Sequence, residues 1–317
     1  MKKIIIDADP GIDDSIAIML ASAVKDYDIL GITLVSGNVC IDKCVKNVLR
    51  LSKFLEKDFN IYKSIPTPLV KDLINAEDTH GEDGLGETYL EYDKIDVNDN
   101  AVDFILDSLK EDEVTIFALG PLTNIARAMK KDKTAFENAR IISMGGNFKS
   151  FGNMSPVAEF NYYVDSDAAD YVIQNAPNPI EIVPLDVTRK FVLTPNIIAL
   201  MKRMNSKIAN FIQDITNFYM DFHYSYENII GSVINDPLVI MAEKYPELFT
   251  KNKYHADVIL DGPARGMLMV DEKDFLKKET NIILYTDIKL NSVWKEFLEI
   301  ITQKEVDCEL LEALLWK

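Results

Sequence analysis

Residues 4–21 read IIIDADPGIDDSIAIMLA, which sets four carboxylates, Asp7, Asp9, Asp13 and Asp14, between two apolar flanks. Close carboxylates repel one another unless something positive sits among them. No lysine or arginine occurs between Lys3 and Lys25. A hard divalent cation such as calcium or magnesium, which takes oxygen ligands, would balance the charge. The plainer reading is helix capping, because acidic side chains favour a helix N-terminus. Capping accounts for one carboxylate or two and leaves the rest unexplained.

These residues need elements to position them. KKIIIDAD predicts a buried strand and DDSIAIMLASAV a helix, and Gly11 permits the tight backbone between them. YDILGITLVSGN, NIYKSI, VTIFALGP, ARIISMGGN and PIEIVPLD predict further strands, and CVKNVLRLSKFL, NAVDFILDSLKE and LTNIARAMKK further helices. Apolar strands alternating with helices imply an α/β fold. The expected architecture is an open, mostly parallel, Rossmann-like sheet flanked by helices, in one domain over 1–317. Such sheets bind ligands at the carboxyl ends of their strands. That edge collects Asn38, Thr123, Asn124, Met144, Asn147 and Asp186, with Asp236 just before Pro237. Each alone is ordinary turn chemistry, but together they describe an acidic, amide-rich pocket. The stretch 67–92, containing HGEDGLGE, predicts a long functional loop. The segment 194–243 predicts a helical subregion at the pocket rim, rich in aromatics that include Phe211, Phe218, Tyr219, Phe222, Tyr224 and Tyr226.

The chain has 317 residues, 48% of them hydrophobic, enough for a large core. A net charge of -17 disfavours nucleic-acid backbones and anionic membranes as partners. Cys40, Cys44 and Cys308 form no even framework and read as packing residues in a reducing compartment. No stretch approaches the roughly 18 apolar residues of a membrane span. A soluble cytoplasmic protein is expected.

DADPGIDDSIAIMLA closely resembles the N-terminal signature of the nucleoside hydrolase family, inosine–uridine preferring and related enzymes. SGNV, HGEDGLG, LGPLTNIA, SMGGN, GNMSPVAEFNYYVDSDAA, PLDVTRK, NDPL and RGMLMVD follow in the family's order, so the resemblance covers essentially the whole chain. It implies hydrolysis of ribonucleosides to ribose and free base, with one calcium ion per subunit. The matching ligands are Asp9, Asp14, the backbone carbonyl of Thr123, and Asp236, which also faces the substrate. Asp9 matches the residue that takes a proton from the attacking water. Asp13, Asn153, Glu159 and Asn161 match the residues that hold the ribose hydroxyls. Asn38, Met144 and Phe160 match others lining the pocket. The family is commonly dimeric or tetrameric, so a homodimer or homotetramer is implied. The chemistry is coherent: carboxylates stabilise an oxocarbenium-like sugar, and a cation makes bound water more acidic.

The chain departs from the family at Asn235. Members often carry histidine or tryptophan there, and the histidine is assigned to the leaving base. An asparagine is no general acid at neutral pH. His80, in the HGEDGLG loop, is the better substitute. His223 is a second candidate that also reads as an ordinary half-buried histidine, and His255, ahead of a strand, has no assigned role. Alternatively Asn235 hydrogen-bonds a different base, or the protein binds ribosides with little turnover. Phe222, Tyr224 and Tyr226 are candidates for stacking on a base, and Glu227 for facing the pocket. A metal-dependent phosphatase would need a basic group at the site, and Arg127 and Arg189 read as peripheral.

Overall fold

The structure is a computed structural model that describes residues 1–111 and 113–315. Its strands are β1 (Lys2–Ala8), β2 (Tyr27–Leu34), β3 (Ile61–Lys63), β4 (Val114–Ala118), β5 (Arg140–Met144), β6 (Ile180–Val183), β7 (Val192–Leu193), β8 (Ser232–Val233), β9 (Phe249–Val258), β10 (Leu268–Asp271) and β11 (Ile282–Ile288). Nine of them form one sheet in the order β10-β9-β11-β6-β5-β4-β1-β2-β3, and β7 and β8 pair separately. From β3 through β11 every neighbouring pair is parallel. This is the expected architecture, in a single domain.

Strand β1 shows why this sequence makes a central strand. Its side chains alternate between faces, so Ile4, Ile6 and Ala8 join one buried cluster and Ile5 the other. All four are 0% exposed, and each isoleucine contributes about 1.5–3 kcal/mol by leaving water. From β1 the chain builds β2 and β3 on one side and β4, β5 and β6 on the other. The connections after β1 and β4 therefore diverge and open a crevice at their carboxyl ends.

The far edge differs from the sequence expectation. Strands β9 and β10 run antiparallel to their neighbours. His255 lies inside β9, not ahead of a strand. The segment TKNKY has no continuous apolar run because much of it is solvent-exposed at the sheet edge, so no buried-strand signal exists there. The segment 64–100 is largely irregular, as expected, with one helical turn at Glu77–His80. The aromatic segment forms the helices Pro195–Met204, Ser206–Glu227 and Pro237–Lys244. Among the described residues no helix is long and apolar enough to cross a membrane.

Candidate active site

Asp9 directly follows β1. Its Oδ2 accepts the Asn38 backbone N–H at 2.6 Å, while its buried Oδ1 has no hydrogen-bond partner. Two glycines leave room for this carboxylate. A Cβ on Gly37 would lie 2.1 Å from Oδ2, and one on Gly120 2.4 Å from Oδ1. Asp14 lies in the first turn of the helix Ile12–Ala23. It accepts the backbone N–H groups of Gly11 at 3.0 Å and Asp9 at 3.3 Å, and the Asn38 amide at 2.9 Å. Asp14 thus caps its helix, as the plain reading holds, but it does not act alone. Asp13, Asp14 and Asp236 bring carboxylate oxygens within 4.8 Å of one another. Asp236 heads the helix Pro237–Lys244 yet makes no capping hydrogen bond, so capping does not explain it.

Burial, and then the neighbouring carboxylates, pushes Asp9 and Asp236 well above the usual carboxylate range. The same causes raise Asp14 to about 7. An all-oxygen donor set with an orphaned buried carboxylate oxygen fits a hard cation. Thr123 is buried at the start of the helix Thr123–Lys131, and its hydroxyl donates to Asp165 at 2.6 Å.

Over this floor opens a cavity of about 440 Å³, within the usual range for small-molecule sites. Asp13, Asn38, His80, Met144, Asn153, Glu159, Phe160, Asn161, His223, Asn235 and Asp236 all line it. Glu159 caps the helix Phe160–Val164, accepting the N–H groups of Asn161 and Tyr162, and also takes that of Gly146 at 2.9 Å. Burial pushes it up to about 7 against those three donors. The Asn161 amide bridges the carbonyls of Leu119 and Met144, at the ends of β4 and β5. Asn153 Oδ1 accepts the Phe160 N–H at 2.9 Å.

The two histidines are held in opposite tautomers. The Ile12 N–H lies 3.1 Å from His80 Nδ1. A backbone N–H only donates, so the neutral His80 ring carries its proton on Nε2. His223 Nδ1 lies 2.8 Å from the Tyr219 carbonyl, which only accepts, so that nitrogen bears the proton. Burial lowers both pKa values from the ordinary histidine value, keeping the rings neutral near pH 7.

Residues 4–295 match the family described as inosine-uridine preferring nucleoside hydrolase. The chain belongs to the nucleoside hydrolase family. A relative from Escherichia coli O1:K1 / APEC, named pyrimidine-specific ribonucleoside hydrolase RihB, is 34% identical over 298 residues, 92% of this chain and 95% of the relative. A solved plant nucleoside hydrolase, PpNRh1, superposes with a TM-score of 0.90 at 30% identity, covering 96% of this chain and 99% of that one. The purine-preferring ribonucleoside hydrolase from Gardnerella vaginalis gives 0.88 at 29%, covering 95% and 98%.

Within this nucleoside hydrolase fold, some sequence readings need correction. Arg189 is not peripheral but lines the cavity, as do Phe222, Tyr226 and Glu227, whereas Tyr224 lies outside the lining and is mostly exposed. Arg127 holds the carbonyls of Ile65 and Thr67, away from the cavity. Three polar strand-end residues serve the scaffold. Asn124 binds Asp7 and the Leu34 carbonyl, Asn147 binds the Ser150 carbonyl, and Asp186 accepts the N–H groups of Phe148, Lys149 and Ser150. Tyr219 and Phe151 also line the cavity, and the sequence reading gave them no site role. Tyr219 precedes His223 by one helical turn, so i, i+4 spacing was an available signal. Phe151 carried none.

Proposed function

We propose that this protein catalyses calcium-dependent hydrolysis of the N-glycosidic bond of ribonucleosides, releasing ribose and free base for salvage. The observation that carries this reading is one cavity with a floor of buried carboxylates and walls of amides and carboxylates suited to ribose hydroxyls. Asp9, Asp14, Asp236 and the Thr123 carbonyl would hold the ion. Calcium there supplies positive charge among the carboxylates and polarises water and hydroxyl groups.

The chain's own residues do the rest. Asp9, whose buried Oδ1 has no hydrogen-bond partner, takes a proton from the attacking water. Asp13, Asn153, Glu159 and Asn161 fix the ribose hydroxyls and so the angle of attack. The surrounding carboxylates stabilise the oxocarbenium-like sugar. Asn235 supplies no proton, and the neutral His80 supports the leaving base through a hydrogen bond from its Nε2–H, the base taking its proton from solvent. Among the described residues lining the cavity, the one lysine or arginine is Arg189, which already meets Glu227 and two carbonyls, and this counts against the phosphatase reading. Cys40, Cys44 and Cys308 are free thiols, in keeping with a reducing cytoplasm.

The test is ribose release from uridine, cytidine, inosine, adenosine and guanosine with calcium, beside an Asp9→Ala control. The panel spans both base classes because relatives named for pyrimidine and for purine preference match this chain similarly well. Release abolished in the variant supports the reading. Tight nucleoside binding without release would replace it with a binding protein.

A further inference from the structure

Arg189 follows the short helix Leu185–Thr188 and reaches two separate stretches of chain, the loop at 151–152 and the helix end at Glu227. Its guanidinium donates to the carbonyls of Phe151 and, at 3.2 Å, Gly152. It also lies over the Phe151 ring, 4.2 Å from the centroid. A third contact pairs it with Glu227, the last residue of the helix Ser206–Glu227, at 3.6 Å. Gly152 immediately precedes Asn153, a proposed ribose-holding residue. Glu227 ends the helix that brings His223 and Tyr226 to the cavity. The side chains of this ion pair are 16% and 22% exposed, so solvent screens it less than a surface pair.

We propose that Arg189 is a positioning residue that ties the loop carrying Asn153 to the end of the helix carrying His223 and Tyr226, so that the ribose side and the base side of the cavity hold one geometry. The inference rests on the proposed nucleoside reading for what each side binds. Three features favour a coupling role over a local brace. The start of the same loop is already pinned by Asp186 through three backbone N–H groups. Asn153 is separately fixed by the Phe160 N–H. Among the described residues only Arg189 adds a hydrogen-bonded or ion-paired link from this loop to the helix end, and a planar guanidinium serves several acceptors and an aromatic face at once, as an ammonium does not.

The experiment measures hydrogen exchange across 148–156 and 222–228 in the full chain, for wild type, Arg189→Ala, Arg189→Lys and Glu227→Ala. Coupling predicts that Glu227→Ala, which removes no bond to the loop, speeds exchange in 148–156 as well as at the helix end. In kinetics, Glu227→Ala should lower kcat/KM about tenfold, and the double variant should be no worse than Arg189→Ala alone, as expected of groups acting through one interaction. Arg189→Lys should recover only part of the loss. Unchanged exchange in 148–156 in Glu227→Ala, or fully multiplicative kinetic losses, overturns the proposal. If wild type hydrolyses no nucleoside, the functional reading fails while the exchange result still decides the coupling.

Discussion

The Asn235 side-chain amide donates to Asp13 Oδ2 at 2.9 Å, and its backbone N–H reaches the same oxygen at 3.2 Å. A carboxylate only accepts, so this contact fixes which end of the amide faces Asp13. The Asn235 Oδ1 is left buried and without a partner. Asn235 thus holds a proposed ribose-binding carboxylate in place. Asn235→Ala, which keeps the backbone donor, should lower kcat/KM about tenfold. Asn235→Asp sets a like charge against Asp13 and should cost about a hundredfold or more. Steady-state kinetics on the best nucleoside checks both, and equal losses in the two variants would count against this role.

His80 leads to a second prediction. Its neutral Nε2–H suits a hydrogen bond to the charge that develops on a departing base, and removing that donor should cost about 10²–10³ in kcat with little change in KM. His80→Ala should therefore be slow on nucleosides yet close to wild type on a riboside whose phenolate leaves without a proton, such as p-nitrophenyl riboside. Equal losses on both substrates would show that His80 does not serve the leaving group.

The part of the site legible in sequence is the part built by local chain. Asp9, Asp13 and Asp14 fall on one strand–turn–helix unit, so their convergence follows from periodicity and one turn. The ordered polar strand ends located the cavity edge for the same reason. The Arg189–Glu227 pair was not legible, because it depends on how the end of a short helix and the end of a long one meet in space. Nor were the histidine tautomers, which are set by backbone groups of other residues or turns. Strand β9 was legible only beyond His255, because its half-exposed first half carries no apolar run.

Glu159 makes stability depend on pH. Its folded pKa of about 7 exceeds the 4.5 of an ordinary glutamate. Between those values the folded chain holds a proton that the unfolded chain lacks, so stability falls as pH rises through that window. Glu159→Gln removes the titration. Relative to wild type, the variant should gain about 3 kcal/mol between about pH 4.5 and pH 7.5, from the size of the shift. Urea unfolding of both proteins in chelator across that range measures it. A constant difference would mean that Glu159 does not titrate abnormally.

Calcium should stabilise this fold through its crowded floor. Asp9 Oδ1 is buried without a partner, and Asp14 sits at about 7. A cation that binds only the folded chain adds about 2.7 kcal/mol at a hundredfold excess over its Kd. Thermal unfolding with calcium should therefore occur several degrees above unfolding in chelator at about pH 8, which lies above the value of about 7 for Asp14. Below about pH 7 protons compete for Asp14 and its neighbours, so the gain should shrink towards nothing by about pH 5. Asp14→Asn and Asp236→Asn should each lose most of the gain at about pH 8, and Asp236→Asn, which breaks no capping hydrogen bond, should unfold in chelator no lower than wild type because it removes a buried charge that repels its neighbours. Identical unfolding of wild type with and without calcium would remove the ion from this site and leave the carboxylates to protons alone.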